Sequence, residues 1–600
     1  MKFILGLGEI SQKARNAFFR FPVTLIWTII GTIFTIWFID ADLPKDKDTP
    51  YIKVILIAIL GVSWLISTRF LINYFIEVKH QPKQWLILIP LIFLGWYYWY
   101  LPNDNSAFDN EVYGYKTGLY FFAGHLFVFF SPFLFTWNKN AYWNFIKTVF
   151  IAIARSLLFS LILYLGLVLA LLALKYLFKI DFNDEIYFKL FIFCLGIINT
   201  WIFLADFPQK IHDNLTINYT KALEVFVKYI LIPLSVLYLI ILYAYSLKIL
   251  INWNLPKGWV SYLVIALSLL GFIIHILINP IKKTIASRTI KRFYPWFYIL
   301  LLPMILLLFT AIYKRISQYG FTENRYFVLV IACWILGITL YILFSKQKQL
   351  RYFPMTLAFI TLLASFGFWG AFSVSERSQV KQFSKIFTNI KAKDFKINRD
   401  EADQFRSVIR YLSERNAIEK TAPYIGFNPK KEFKDVSHWS MATKLVDTLN
   451  IEVVYNKNDI ERNGYFSIDE VNTALDISGY DFFKQVNFYK SGLLYTGGSH
   501  NNINGYKMHL NLEESSFKIF KDSITSHKIN LNPLIDKLLS KENRHDIHPS
   551  ILTLEEEFDD MNIKLIFQNL YINNVKGSLP KINNANAYVL LKFKNDAQQN

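Results

Sequence analysis

Between positions 21 and 372 the chain alternates long apolar runs with short polar loops. Eleven such runs fall at 21–39, 52–76, 85–102, 119–137, 156–178, 187–207, 225–246, 260–280, 295–313, 326–345 and 352–372. A helix of ~20 apolar residues crosses a hydrocarbon core, so each run is long enough to be a span. Two further stretches have one-sided apolar spacing with charges between. Residues 9–20 and Ala141 to Arg155, where Asn144, Lys147 and Arg155 interrupt Phe145, Val149, Phe150 and Ile153, suit amphipathic helices in the headgroup layer. The proline positions Pro90, Pro132, Pro233 and Pro303 mark places where a span kinks or breaks.

The pattern changes at Ser373. Gln379 to Ile390, Arg399 to Arg415 and His438 to Leu449 carry helical apolar spacing, with Ser437 placed to cap the last. Ile451–Tyr455, Leu493–Thr496, Tyr506–Leu512, Phe517–Phe520, Ile563–Leu570 and Ala587–Phe593 are rich in β-branched and aromatic residues and predict strands. The expected architecture is an all-α polytopic transmembrane bundle of about eleven helices followed by a soluble α+β C-terminal domain. Its divisions are an N-terminal amphipathic segment at 1–20, a membrane domain at 21–372 and an α+β domain at 373–600.

Composition agrees: 54% of the 600 residues are hydrophobic and 18% aromatic. The net charge of +19 raises the question of nucleic acid, but its distribution answers it. From Ser373 onward 31 Lys and Arg face 29 Asp and Glu, against 33 and 16 before it. The excess therefore lies among the spans, where it orients loops, and nucleic acid is not an expected partner. The lipid bilayer is. Loops on the side of the N-terminus hold eighteen Lys and Arg, the opposite loops nine. By the positive-inside bias the N-terminus is cytoplasmic, and an odd number of spans puts 373–600 outside. Lys13, Arg15 and Arg20 before a long first run with no cleavage site read as a retained signal anchor.

Charged groups inside spans are the default functional suspects, because burying them in lipid costs a few kcal/mol. The candidates are Asp206 at the edge of the sixth run, with His125 and His275 deeper in theirs. Each histidine could be a proton relay or a ligand, but a neutral group hydrogen-bonded to a neighbouring helix is the reading favoured over these. No run has a central Asp or Glu, which disfavours an ion-coupled carrier. A polar outer cluster, Lys314, Arg315, Glu323 and Arg325, occupies the turn between the ninth and tenth runs. Thr322 is placed to cap the tenth, and Arg325 to pair with Glu323 or a lipid phosphate. In the tail, Asn543-Arg-His-Asp-Ile-His548 lacks a zinc spacing, the acidic run Glu555 to Asp560 reads as a solvated surface, and Thr496 to Gly505, with Ser499 and His500, reads as a long turn. No motif calls for a cofactor, a metal or a catalytic group.

Ile316-Ser-Gln-Tyr-Gly-Phe-Thr-Glu-Asn-Arg-Tyr-Phe-Val-Leu with Trp334, and Asn252-Trp-Asn-Leu-Pro-Lys-Gly-Trp-Val-Ser261, resemble segments of the domain-of-unknown-function 4153 type family of polytopic bacterial membrane proteins. Ser375-Glu-Arg-Ser-Gln379, Ile409-Arg-Tyr-Leu-Ser-Glu-Arg415 and Asp476-Ile-Ser-Gly-Tyr480 extend the resemblance into the tail. It implies a bacterial inner membrane and an extracytoplasmic tail, with no activity to carry over. The expected function is a non-catalytic inner-membrane protein whose periplasmic domain serves envelope sensing, binding or assembly, with an envelope protein or lipid as partner of 373–600. The alternatives are a transporter or lipid-handling protein with the tail as gate, and a membrane-embedded enzyme with an outer-face site.

Overall fold

The computed structural model describes residues 7–41, 44, 48–103, 110–207, 210–217, 219–252, 259–280, 288–346, 348–434, 436–454, 463–468, 475–489, 502–503, 506–511, 514–521, 524–539, 548–573 and 581–594. The expected strand Leu493–Thr496, Ser499, His500 and the Asn543–Ile547 part of the histidine motif lie outside these residues. The chain divides into two compact units, 1–388 with 405–445, and 389–404 with 446–600.

The first unit is helical. In chain order its principal helices are α1 (Leu7–Arg20), α2 (Pro22–Asp40), α3 (Thr49–Glu77), α4 (Leu88–Tyr100), α5 (Glu111–Phe130), α6 (Lys139–Phe178), α7 (Glu185–Ala205), α8 (Lys221–Ile249), α9 (Trp259–Ile278), α10 (Arg288–Tyr319), α11 (Glu323–Phe344) and α12 (Tyr352–Ser365). Eight of them, or the greater part of them, are long and apolar enough to cross a membrane: α2, α3 and α6 to α11. The other three expected spans are helices too, but α4 has 13 residues and α12 has 14, about 20 Å each at 1.5 Å per residue, and α5 begins with the polar Glu111-Val-Tyr-Gly-Tyr-Lys116.

Hydrogen bonds between loops tie the helix ends into two sets. At the end that carries α1, which we call proximal, Arg20 Nη1 donates to the Phe207 carbonyl (3.1 Å), and Arg351 Nη1 donates to the carbonyls of Phe133 (2.5 Å) and Thr136 (2.9 Å). At the other, distal end, Lys53 Nζ donates to the Leu101 carbonyl (2.8 Å) and Lys189 pairs with Asp40. The shorter helices α4, α5 and α12 each begin in one set and finish in the other.

Small residues let the helices approach. A Cβ on Gly61 would fall 2.5 Å from Trp27 Nε1, which donates instead to the Ala58 carbonyl at 2.9 Å. The core between helices is aromatic: Phe70 packs edge-on to Phe21 and Phe145, and Phe133 packs on Tyr142.

Several local expectations meet a more particular outcome. Ala141–Arg155 is no separate surface helix but the first part of the unbroken 40-residue α6, about 60 Å long, capped by the Asn138 side chain. Pro233 follows a wide π turn, Val227–Leu231; that turn accommodates a residue that has no N–H to donate and whose ring crowds the preceding turn. Pro132 sits in the 3₁₀ turn that ends α5, whereas Pro303 is carried within an uninterrupted α10.

Past the spans, α13 (Ala371–Ala392) and α14 (Arg399–Glu414) match the expected helices, as does α15 (His438–Thr448). The second unit is α+β. A parallel pair, β1 (Lys396–Asn398) with β2 (Glu452–Val454), accompanies two antiparallel sheets. One sheet has the order β3-β10-β11-β4, from Asn463–Ser467, Met561–Asn573, Lys581–Phe593 and Phe482–Tyr489, with β9 (Thr553–Glu557) on the β3 side of β10. The other is a meander, β5 to β8, from Asn502–Ile503, Tyr506–Asn511, Ser516–Lys521 and Ile524–Asn530. Alternate residues of β10, such as Met561, Ile563, Leu565 and Phe567, are buried with Phe517 and Ile519 of β7 and with Leu534 of the helix α16 (Asn532–Leu539).

Candidate functional site

Among the described residues of the first unit, two clusters that bury charge stand out, one at each end of the helices. The distal one is built on the turn between α10 and α11. Gly320 takes φ +71°, and a Cβ there would meet Ser378 Oγ and Gln382 Cγ at 2.9 Å, so only glycine fits. Helix α13 holds this turn in place. Ser378 Oγ accepts from the Phe321 N–H (2.8 Å), and Gln379 Nε2 donates to the carbonyls of Tyr319 (2.9 Å) and Phe321 (2.7 Å). Two stretches singled out in the sequence, 316–329 and 375–379, thus meet.

Thr322 is the N-cap residue of α11, but its side chain makes no capping bond. Glu323 in the first turn is buried, its side chain 4% exposed. Its Oε1 accepts from the Tyr411 hydroxyl (2.9 Å) and from Arg415 Nε (3.1 Å). Arg415, itself 8% exposed, reaches Glu111 Oε2 through Nη2 (3.0 Å) and lies over the Tyr411 ring at 5.1 Å. Burial pushes the Tyr411 phenol up, and the Glu323 carboxylate pushes it further. Burial alone would lower the Arg415 pKa, but Glu323 more than offsets this and leaves it raised.

Arg325 turns away from Glu323. Its Nη1 donates to the carbonyls of Tyr319 (3.1 Å) and Gly320 (2.9 Å). Lys314 and Arg315 are half-buried on α10, with Arg315 at 6.0 Å from the Tyr319 ring centre. The turn residues of the sequence cluster are therefore not gathered on one another. Glu323 is gathered instead with Tyr411 and Arg415 from α14 and its end, and with Glu111 from the start of α5. The available signal was the i, i+4 spacing of Tyr411 and Arg415 within 409–415, which puts both on one helix face. In this cluster Glu323 Oε1 and the Arg415 Nε and Nη2 are all bonded, while Arg415 Nη1 has only Glu414 Oε2 at 3.9 Å; its chemistry is that of a lock.

The proximal cluster is open. A cavity of about 830 Å³ lies between α1, the end of α3, the Thr148–Arg155 stretch of α6 and the end of α7, lined among others by Lys13, Arg20, Arg69, Glu77, Arg155 and Asp206. Arg20 is held by the Phe207 carbonyl, and Arg69 Nε donates to the Arg20 carbonyl (2.5 Å). Glu77 Oε2 accepts from the N–H groups of Ile211 (3.0 Å) and His212 (3.5 Å). Arg155 Nη1 contacts Asp206 Oδ1 at 2.6 Å, while Asp206 Oδ2 is buried with no partner among the described residues.

Of the other sequence candidates, His125 lines a smaller cavity of about 240 Å³ with Ser63, Ser156, Asn199 and Thr200, and its Nδ1 lies 2.8 Å from the Phe121 carbonyl on its own helix. His275 is buried beside the rings of Tyr298 (5.7 Å) and Phe353 (5.9 Å). His125, Asp206 and His275 are thus separate features. Among the described residues no three of His, Cys, Asp and Glu come together as a metal site.

A multi-helix bundle with membrane-length apolar helices and a strand-rich C-terminal region defines a polytopic membrane protein. The chain matches the family model "Domain of unknown function (DUF4153)" over residues 12–390, and it belongs to that family. It is also similar to "Uncharacterized protein PM1469" of Pasteurella multocida (strain Pm70), with 26% identity over 395 residues. That similarity covers 65% of this chain and 62% of the relative's length. No solved structure matches it.

Proposed function

We propose that this protein is a non-catalytic component of the bacterial inner membrane, with its N-terminus in the cytoplasm and residues 373–600 in the periplasm, where they serve binding, sensing or assembly in the envelope. The observation that carries this reading is the distal lock. Glu323, Tyr411 and Arg415 hold the end of α14 against the turn between α10 and α11. Such a device suits a protein whose chain returns, at 405–445, to the helical unit and is anchored there. The alternation of helix ends supports an odd number of crossings, and the twofold excess of Lys and Arg in the proximal loops supports a cytoplasmic proximal end. No nucleophile, metal cluster or paired acid and base lies in the lock, which weighs against an outer-face enzyme.

The test uses the full chain in cells. A phosphatase that is active only outside the cytoplasm, fused after Asn600, should be active. Photo-crosslinkers at the exposed Ile477 and Phe483 should then capture envelope protein or lipid. An inactive fusion overturns the topology, and an active fusion with no adduct from either position overturns the binding role.

A further inference from the structure

We propose that the smaller cavity beside His125 holds the hydroxyl head of an uncharged lipid, which enters it from within the bilayer. Four helices build the wall. Ser63 comes from α3, His125 from α5, Ser156 and Leu157 from α6, and Asn199 and Thr200 from α7. His125 stands five residues and Asn199 six residues before the last residue of its helix, ~8–9 Å along the axis at 1.5 Å per residue. Ends of spanning helices lie at the headgroup level, so the cavity sits beneath the headgroups, among acyl chains. Leu157 is 47% exposed, more than an enclosed space of about 240 Å³ allows, so the cavity opens on the outer surface of the helices.

Backbone geometry contributes on α7. The π turn Cys194–Ile198 directly precedes Asn199 and adds a residue to the helix, which rotates everything after it by ~100° about the axis. That rotation sets the side on which Asn199 and Thr200 stand.

The chemistry of the wall selects the ligand. Among the described residues no Asp, Glu, Lys or Arg lines the cavity, and a charged head at this depth would stand uncompensated in apolar surroundings. The head is therefore polar but neutral. His125 Nδ1 lies 2.8 Å from the Phe121 carbonyl, which can only accept, so the ring proton is on Nδ1 and Nε2 is an acceptor. The Ser63 and Ser156 hydroxyls likewise donate within their own helices, to the carbonyls of Leu60 (3.4 Å) and Ile153 (3.1 Å). Groups from three helices thus offer lone pairs, while the Asn199 amide and the Thr200 hydroxyl of α7 supply donors. An alcohol both donates and accepts, and so suits both sets. An ester has no proton for the first. At about 240 Å³ the cavity is smaller than the usual site of a whole drug-sized ligand, so it takes the head and leaves the chains in the bilayer. The site belongs to the first unit and does not depend on which side of the membrane residues 373–600 occupy.

The experiment is native mass spectrometry of the full-length protein in detergent with added dioleoylglycerol, its O-acetyl ester, dioleoylphosphatidate or a long-chain polyprenol. At least one of the two alcohols should be retained about tenfold more strongly than the ester and the phosphatidate. Retention of dioleoylglycerol alone assigns the hydroxyl to a glyceride, retention of the polyprenol alone to a prenol, and either result keeps the proposal. His125→Phe should weaken the retained alcohol about tenfold and leave the ester unchanged, whereas His125→Gln, which keeps an acceptor, should retain most of the binding. His125 is exposed and bonds only to its own helix in the contacts above, so H125F tests the site without emptying the core. Ser156→Leu, which fills the cavity, should abolish retention. Equal retention of alcohol and ester, alcohol binding unchanged by both H125F and S156L, or retention of neither alcohol overturns the proposal.

Discussion

The two ends of the helical unit use the same ingredients, arginines and carboxylates withdrawn from water, to opposite effect. At the distal end Glu323 Oε1 takes two donors and Arg415 bridges two carboxylates. At the proximal end Arg155 satisfies one oxygen of Asp206 and leaves the other without a partner beside about 830 Å³ of space. Buried charge by itself thus says little about role. What distinguishes the two ends is that the distal carboxylate is tied to two side chains of another helix, whereas the proximal one lines a cavity.

The largest effect expected from this contrast comes from Arg415→Ala, which strands Glu323 inside the protein. A loss of ~3–5 kcal/mol should appear in thermal unfolding of the detergent-solubilised protein, and exchanging both partners for apolar residues should recover much of it. If the single variant costs under 1 kcal/mol, the lock is not closed to water.

Tyr411→Phe removes one hydrogen bond to a charged acceptor and should cost ~1.5–3 kcal/mol. Tyr411 also gives a pH signature. Its folded pKa is raised above the usual 10, so its contribution is fully present below pH 10 and falls as pH rises through that value. The native protein should lose stability more steeply above pH 10 than Y411F does; parallel alkaline profiles would remove Tyr411 from the lock.

Arg155→Met at the open end should cost ~1 kcal/mol or less, because the Arg155 side chain is 45% exposed. A cost equal to that of R415A would erase the distinction between the two ends.

The smallest effect belongs to Glu514 in the second unit, a solvent-exposed reference for both. Bonds from Lys518 and Lys528 hold its pKa down to about 2. Its contribution is present above pH 4.5 and is lost as pH falls toward 2. Chemical-shift titration of Glu514 should show the low value, with Glu514→Gln barely moving the melting temperature.

Much of this was legible in the sequence. Apolar runs have a length set by the bilayer, and the β-branched runs of the tail have period two, so helix and strand positions followed closely for α2, α3, α11, β6, β7, β10 and β11. Edge strands were missed where the local sequence is polar. β9, with Glu555 to Glu557, reads as a solvated acidic run and is held as a strand by its pairing with β10. Glu323 stood out because charge is rare among spans, but Arg415 did not, since charge is ordinary in a soluble helix. Arg20 reads as part of the basic flank of the first apolar run, and nothing local announced that it shares a cavity with Arg69.

The sequence by itself determined the membrane class, the helical bundle, the α+β tail and the family. These depend on hydrophobic period and run length, which are properties of neighbours in the chain. Only the tertiary structure decided that Glu323 is locked by residues 88 and 92 positions away while Asp206 faces a cavity. Which buried charges are satisfied depends on side chains brought together from distant helices, and no local pattern encodes that meeting.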